Sequence, residues 1–494
     1  MTSTAESRSL EPGRLDLGAP AAERDIKKGL AAYFIESDDF NRVERGDKLV
    51  VVGNRGAGKS AIFQVLAQRE RAVGAYVIEL APEDYSYELL SRSMLPEDSG
   101  SWAKIGAYAV AWKYLIYVLV MQELTRKGAR KKEAASIYRY IRDHHVGGAT
   151  SKLSALVSYI KRMEGLKIGS LDASLRTREL EKLYKLAEIA PLLPTLCQIL
   201  ESQKVVVLVD ELDRGWDESE DAKAFVAGLF QACMSINGLS DNLRVYMSLR
   251  QELYDNIPAL YEDAQKFRDV IETISWTKPR LLELIAARIR YSLGQLEHYS
   301  DQRCWNKVFA SQSPEPGRSS FDYMLDRTLY RPREIIQFCA QAVEAAFDRK
   351  SGLPVDTATI ADVEFVYSEE RTTDIAAEYR FQYPGLLSLF EAFRGRNRYF
   401  EYDGLELLCL EIATETALTS EASVWVADQD PDVLMEALWQ VGFLQAETVG
   451  GNSQQQTGTR SFLGQHQVRR LNLRAVQRFR VHPMFWAYLG LHSS

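Results

Sequence analysis

Gly53-Asn54-Arg55-Gly56-Ala57-Gly58-Lys59-Ser60 is the stretch on which the fold turns. It satisfies the spacing GxxxxGK[ST], and its flanks agree. Lys48 to Val52 (KLVVV) reads as a short buried strand, and Ala61 to Arg69 returns to helical spacing with Ile62, Phe63, Val65 and Leu66 apolar. A strand, a glycine-rich turn and a helix in that order build an anion cradle. Glycines let successive main-chain N–H groups turn inward around phosphate oxygens, and the start of the helix adds the positive end of its dipole. Lys59 is expected to reach the β- and γ-phosphates of a nucleotide and the Ser60 hydroxyl to ligate Mg2+. The candidate nucleotide-binding set is Gly53, Asn54, Arg55, Gly56, Ala57, Gly58, Lys59, Ser60 and Ala61. The competing reading, a turn that binds nothing, leaves the adjacent lysine and serine without a reason to sit together. Arg55 is open between an inward phosphate contact and an outward contact to a neighbour.

Three further apolar runs read as strands: Tyr76 to Leu80 (YVIEL), Val205 to Val209 (VVVLV) and Leu243 to Leu249 (LRVYMSL). Helical stretches separate them, which predicts an α/β fold with a parallel sheet covered on both faces. Asp210 follows the Val205 strand at the ligand-binding edge of such a sheet, where it can hold Mg2+ through water. Glu211 comes next and is placed to polarise an attacking water as general base. The bland alternative is two solvated acids at a strand end. The continuation DELDRGW adds Asp213 and Arg214, either an ion pair bracing the loop or a contact to nucleotide or a neighbouring subunit. Arg250 ends the Ser248-Leu249-Arg250 string and is expected to touch the γ-phosphate, against a structural role paired with Asp213. Arg331-Pro332-Arg333-Glu334 opens a helix, from which Arg333 either reaches the nucleotide or neutralises Glu334. No NKxD string is present, which favours ATP over GTP, and adenine contacts are expected between Tyr33 and Val43.

The rest of the chain of 494 residues suggests several domains. With 46% hydrophobic and 26% charged residues it is an ordinary globular composition, which excludes collagen-like, disulfide-scaffold and fully disordered chains. The net charge of -8 excludes a molecule-wide basic field for nucleic acid. Cys197, Cys233, Cys304, Cys339 and Cys409 form no CxxC pair, so neither zinc nor disulfides are expected, and the compartment reads as a cytoplasmic, reducing one. The N-terminus lacks a signal-peptide pattern. Ile105 to Met121 is apolar enough to suggest a membrane span, but Lys113 at its centre favours a buried helix and no membrane association. The expected organisation is a disordered tail (1–22), an ATPase core (23–83 and 204–275), a large helical insertion (84–203), a helical lid (276–394) and a C-terminal winged-helix-like domain (395–494). The last rests on helices at Leu405 to Leu410 and Val433 to Trp439, then strands at Gly442 to Ala446 and Phe479 to His482 around the polar loop Gly450 to Gly458.

Two local charge features bear on partners. Arg126 to Arg142 has seven Lys or Arg against one Glu, with Tyr138 and Tyr140 interleaved, and reads either as a phosphate-tracking helix or as a solvated face. From Thr448 onward there are six Arg and no acid: Arg460, Arg469, Arg470, Arg474, Arg478 and Arg480. Tyr399 to Glu447 holds eleven acids and no Lys or Arg, so the two halves either neutralise each other or the basic one lines a wing against DNA.

The phosphate loop, DELDRGW, the hydrophobic strand ending in SLR and the PRE helix together resemble bacterial P-loop ATPases of the additional-strand, catalytic-glutamate group. The likeness is to the STAND and KAP-type branches, with kinship to AAA+ ATPases of the origin-recognition kind, over about residues 25–345. In that resemblance the two phosphate motifs are Walker A and Walker B. It implies an extra strand between the loop strand and the Asp210 strand, hydrolysis of ATP with Mg2+, and nucleotide-controlled switching or assembly with a homo-oligomer or protein effector as partner. The 150 residues from Ser60 to Asp210 exceed a minimal core and mark the insertion as the most individual part of the chain. The alternative function is a nucleotide-locked scaffold with little turnover, whose winged-helix-like module recruits DNA or a protein effector.

Overall fold

The computed structural model describes residues 15–81, 101–126, 134–145, 186–212, 218–257, 267–294, 296–414, 418–427, 429–448, 461–468 and 471–493. Asp213, Arg214, Arg460, Arg469, Arg470, the loop 450–458 and part of the basic run, 127–133, lie outside them. The chain divides into two compact units. Unit 2 is Glu36–Ser275, and unit 1 takes the described residues of Met1–Ile35 and Trp276–Ser494.

Unit 2 is built on a five-stranded parallel sheet. Its helices are α1 (Asp38–Glu44), α2 (Lys59–Ala72), α3 (Ser101–Thr125), α4 (Ala135–His145), α5 (Leu193–Leu200), α6 (Glu220–Asn237) and α7 (Gln251–Asn256). Its strands are β1 (Val50–Gly53), β2 (Tyr76–Leu80), β3 (Val205–Val209), β4 (Leu243–Arg250) and β5 (Ile271–Thr273), in the spatial order β2-β3-β4-β1-β5. Val205 to Val209 are buried without exception, as a strand covered on both faces requires. The extra strand expected between the loop strand and the Asp210 strand is β4, which pairs with β1 on one side and β3 on the other. The sequence reading misses β5. The loop strand runs Val50–Gly53 rather than from Lys48, with Leu49 just ahead of it donating its amide to the Val270 carbonyl at 2.8 Å and accepting from the Met247 amide at 3.0 Å.

The apolar helix α3 contains a 21-residue stretch, Ile105–Thr125, long and apolar enough to cross a membrane by length and composition, and 78% of its most apolar window is buried inside the protein. It packs along α6. Tyr108 and Trp112 meet Phe225 at ring-centroid distances of 5.6 Å and 4.9 Å, and Gly228 lets the two backbones approach closely.

Unit 1 carries α8 (Lys278–Leu293), α9 (Asp301–Val308), α10 (Ser320–Leu325), α11 (Pro332–Asp348), α12 (Thr357–Glu378) and α13 (Leu386–Glu391). These are followed by β6 (Tyr399–Glu401), α14 (Tyr402–Thr414), α15 (Ser420–Val426), α16 (Pro431–Gln440), β7 (Leu444–Thr448), β8 (Ser461–Gly464) and β9 (Arg478–Val481). The four strands form an antiparallel sheet in the order β6-β9-β7-β8. One apolar cluster joins Ile375, Leu389 and Phe390 of the helical region to Leu405, Leu438, Phe443 and Phe479 of this C-terminal part.

The N-terminal reading needs correction where it is described. Residues 15–21, expected as disordered tail, are ordered against α8, because Leu15, Leu17 and Ala19 are buried and the Asp16 amide donates to Ser292 Oγ at 2.8 Å. Arg288 fixes the segment: its guanidinium meets Asp25 at 2.8 Å and the Leu17 carbonyl at 2.7 Å, all buried. Residues 23–35 accordingly join unit 1 and not the sheet-bearing unit.

Candidate nucleotide-binding site

The loop leaves β1 at Gly53, whose missing side chain matters: a Cβ there would lie 3.3 Å from the Ala57 Cβ and 3.4 Å from that of Ile274. Gly56 (φ 76) and Gly58 (φ 100) adopt the left-handed backbone that folds the loop back over the helix start. Helix α2 then begins at Lys59 with no side-chain cap and no acidic residue in its first turn, so no carboxylate of its own first turn competes for the anion-attracting end of its dipole. The Lys59 ammonium lies inside the loop, donating to the Gly53 carbonyl at 2.7 Å and the Asn54 carbonyl at 3.1 Å. Ala57 is buried, while Asn54, Arg55, Gly56, Gly58, Lys59, Ser60 and Ala61 are half-buried along the same curve.

The carboxylates come to the same sheet edge. Strand register sets Gly53 level with Arg250 and Val209 level with Met247, so Asp210 falls beside Ser248. The Asp210 amide donates to the Leu80 carbonyl at 2.9 Å, which ties the residue to β2. Its carboxylate accepts hydrogen bonds from the Ser248 hydroxyl and from the Glu211 amide, the latter at 2.9 Å. Glu211 has φ 58, a left-handed conformation rare for a residue with a side chain, and there the chain turns out of the sheet. Arg250 is half-buried at the end of β4 and serves as the residue before α7.

The structure thus brings the loop, Asp210, Glu211 and Arg250 to one edge of one sheet. Arg333 is the second residue of α11 and belongs to unit 1. Ser248 escapes a reading of the sequence, because its partner is set by cross-strand register; the signal was the hydroxyl two residues before Arg250. In the span expected to read adenine, Phe40 and Val43 are fully buried and Tyr33 donates its hydroxyl to Asp25 at 2.7 Å. Arg42 there is engaged with Glu272 of β5 through two bonds of 2.6 Å and 3.0 Å.

A mixed α/β protein with a five-stranded parallel sheet and this loop at the carboxyl edge of its strands is consistent with the P-loop NTPase fold. Within unit 1, residues 279–376 match the family described as a FunZ-associated C-terminal helical domain. A putative transposon gamma-delta 80.3 kDa protein of Escherichia coli (strain K12) is 25% identical over 503 residues, spanning 97% of this chain and 67% of its own length. The allergen Alt a 2 of Alternaria alternata is 30% identical over 124 residues, 24% of this chain and 62% of that protein. Among solved structures, the ORC2 protein of Aeropyrum pernix, in ADPNP and ADP complexes, overlaps 94% of this chain and 92% of its own at 10% identity and a TM-score of 0.35. The bacterial conjugative coupling protein TrwB overlaps 47% of this chain and 68% of its own at 16% identity and a TM-score of 0.18. Sheet order and loop geometry, rather than these overlaps, carry the fold.

Proposed function

We propose that the chain is a magnesium-dependent ATPase that converts ATP to ADP and phosphate and uses the cycle as a conformational or assembly switch. The observation that supports it most is the placement of Asp210 and Glu211 at the end of β3, across β4 from the phosphate loop. The amides of the loop and the Lys59 ammonium neutralise the β- and γ-phosphates. The Ser60 hydroxyl and the Asp210 carboxylate are hard oxygen donors that suit magnesium, and Ser248 holds that carboxylate in one orientation. Magnesium bound there would supply charge on the phosphate side. Glu211 orients the attacking water and accepts its proton, and Arg250 contacts the γ-phosphate. Arg333 is proposed as a further nucleotide contact from α11.

The arrangement of α14 to α16 before the hairpin β7–β8 and strand β9 fits a winged-helix-like module. In that module α16 is the helix that DNA would meet, yet of its own residues it exposes Val433 and Glu436 and no Lys or Arg, and the exposed Arg474 beside it is paired with the half-buried Asp432 at 2.6 Å. That favours a protein partner over DNA for this face. The 25%-identical relative spans 97% of this chain, so the sheet-bearing unit and the C-terminal part are shared together.

Phosphate release by wild type and Glu211→Gln tests the reading. A steady magnesium-dependent wild-type rate that drops by about a hundredfold or more in the variant, with ATP affinity retained, is expected. Equal negligible rates with tight nucleotide binding would leave the locked scaffold in its place, and no magnesium-dependent ATP affinity at all would remove both.

A further inference from the structure

Helix α14 buries Leu405, Leu408, Cys409 and Ile412 in the core of unit 1. Its other face is exposed at Asp403, Glu406, Leu407, Leu410 and Thr414, positions that follow i, i+3, i+4, i+7 and i+11 and so form one continuous stripe. Leu407 is 67% and Leu410 45% exposed, an unusual place for two leucines on one helix face. Asp403 and Glu406 have no ion-pair partner among the described residues, and the surrounding segment 399–447 supplies none, holding eleven acids and no Lys or Arg. The adjoining helix α15 adds Val424, 86% exposed, and the exposed Glu421. This surface asks for an occupant that is both basic and apolar.

The chain itself carries one. Helix α4 of unit 2 buries Ile137 and exposes Ala135, Tyr138, Arg139 and Arg142, again at i, i+3, i+4 and i+7. Among the described residues Arg139 has no acidic partner, and Arg142 pairs only with its neighbour Asp143 at 2.8 Å, an exposed contact that exchanges readily. One stripe reads acid, acid, leucine, leucine; the other reads alanine, tyrosine, arginine, arginine. We propose that the α14 stripe of one copy docks on the α4 stripe of a second copy. Leucines then cover the Tyr138 ring, and Arg139 and Arg142 meet Asp403 and Glu406. The contact joins two different surfaces, so it is heterologous: each copy keeps one of each kind free and assembly continues to a ring or an open chain. A pair of helices is small against a standard interface, so the expected affinity is in the micromolar range. The proposal is independent of the nucleotide chemistry of the phosphate loop.

Sedimentation velocity on the full-length chain across the micromolar range tests it, with DNA binding and magnesium–ATP affinity measured on the same samples. Wild type should grow in mass with concentration, less so at high salt. Asp403→Arg/Glu406→Arg and Arg139→Glu/Arg142→Glu should each weaken self-association by about tenfold or more. An equimolar mixture of those two variants should associate again, because each stripe of one variant meets a stripe of opposite charge on the other, one pair native and one charge-reversed. The chain carrying all four substitutions should associate again. Leu407→Glu/Leu410→Glu should abolish assembly without changing the thermal midpoint or ATP affinity. A wild type that stays monomeric, an oligomer indifferent to the charge variants, or a four-substitution chain that fails to reassemble overturns the proposal. So does DNA binding that depends on Arg139 and Arg142 while self-association does not.

Discussion

Glu211 and His466 show how much a single backbone or ring environment decides. The left-handed φ of 58 at Glu211 costs on the order of 1 kcal/mol, and it turns the chain away immediately after the carboxylate that Ser248 and the Glu211 amide hold. That Lys59, Ser60, Asp210 and Glu211 share one sheet edge was legible because each follows directly on an apolar strand or its glycine turn in the sequence. Ser248 was not, since only strand register brings it to Asp210. His466 is another residue that sequence could not place. It stacks on Tyr330 with ring centroids 5.1 Å apart, and both ring nitrogens are buried with no hydrogen-bond partner among the described residues. Burial first, and the charge of Arg331 second, push its pKa down to about 4. Burial likewise holds His482 well below the usual histidine range, with His466, Arg480 and Arg327 adding to it. The unfolded chain therefore binds a proton at His466 from about pH 6.5 downward while the folded protein resists until about 4. Stability contributed by neutral His466 is complete above pH 6.5 and is lost as pH falls through this window, by up to about 1.4 kcal/mol per pH unit. Thermal unfolding of wild type and His466→Phe checks this: the variant should lose less stability than wild type between pH 6.5 and 4, and parallel curves would refute it.

At the scale of elements, the strands that were readable are those whose burial makes them continuous apolar runs, β3 above all. Strand β5 was hidden because its central residue is Glu272, buried and neutralised by the fork of Arg42. A charge that would exclude a strand in isolation is admitted once a guanidinium meets it. The strands β6 and β8 are short and half-exposed, so their pattern carries little signal. Helix α3 was legible as all-round apolar, but its partner was not. The structure supplies α6, and the closeness of the two helices rests on Gly228. A Cβ added there would sit 2.5 Å from the Tyr108 Cβ and 2.8 Å from the Ala109 amide nitrogen, so one helix must move. Gly228→Ala is expected to destabilise unit 2 by about 1–3 kcal/mol, and Gly228→Leu by more. Circular dichroism melts check it; an unchanged midpoint in Gly228→Leu would mean that the helices do not meet at this glycine.

For the whole molecule, the chain order misleads. The sequence reading sets residues 23–83 and 204–275 in one core around an insertion, whereas here the polypeptide starts in unit 1, leaves it after Ile35 to build all of unit 2, and returns at Trp276. The link is physical: Ile35 and Trp276 both pack on the cluster that holds Leu17, Leu281 and Trp305, and the buried Arg288–Asp25 pair clamps the segment ahead of the departure. Among the described residues the apolar clusters follow the division, one in unit 2 and two in unit 1. Units with separate cores unfold with separate ligand responses. The phosphate loop lies wholly in unit 2, so magnesium–ATP at about a hundred times its Kd should stabilise that unit by about 2.7 kcal/mol. For a unit of this size the gain raises its transition by roughly 5–10 °C. Calorimetry of the full chain should therefore show two transitions, of which nucleotide moves one. Lys59→Ala should remove that shift and leave both transitions present. His466→Phe should alter the other transition at acid pH and leave the nucleotide shift intact. A nucleotide shift that persists in Lys59→Ala would place the ligand somewhere other than the loop after β1.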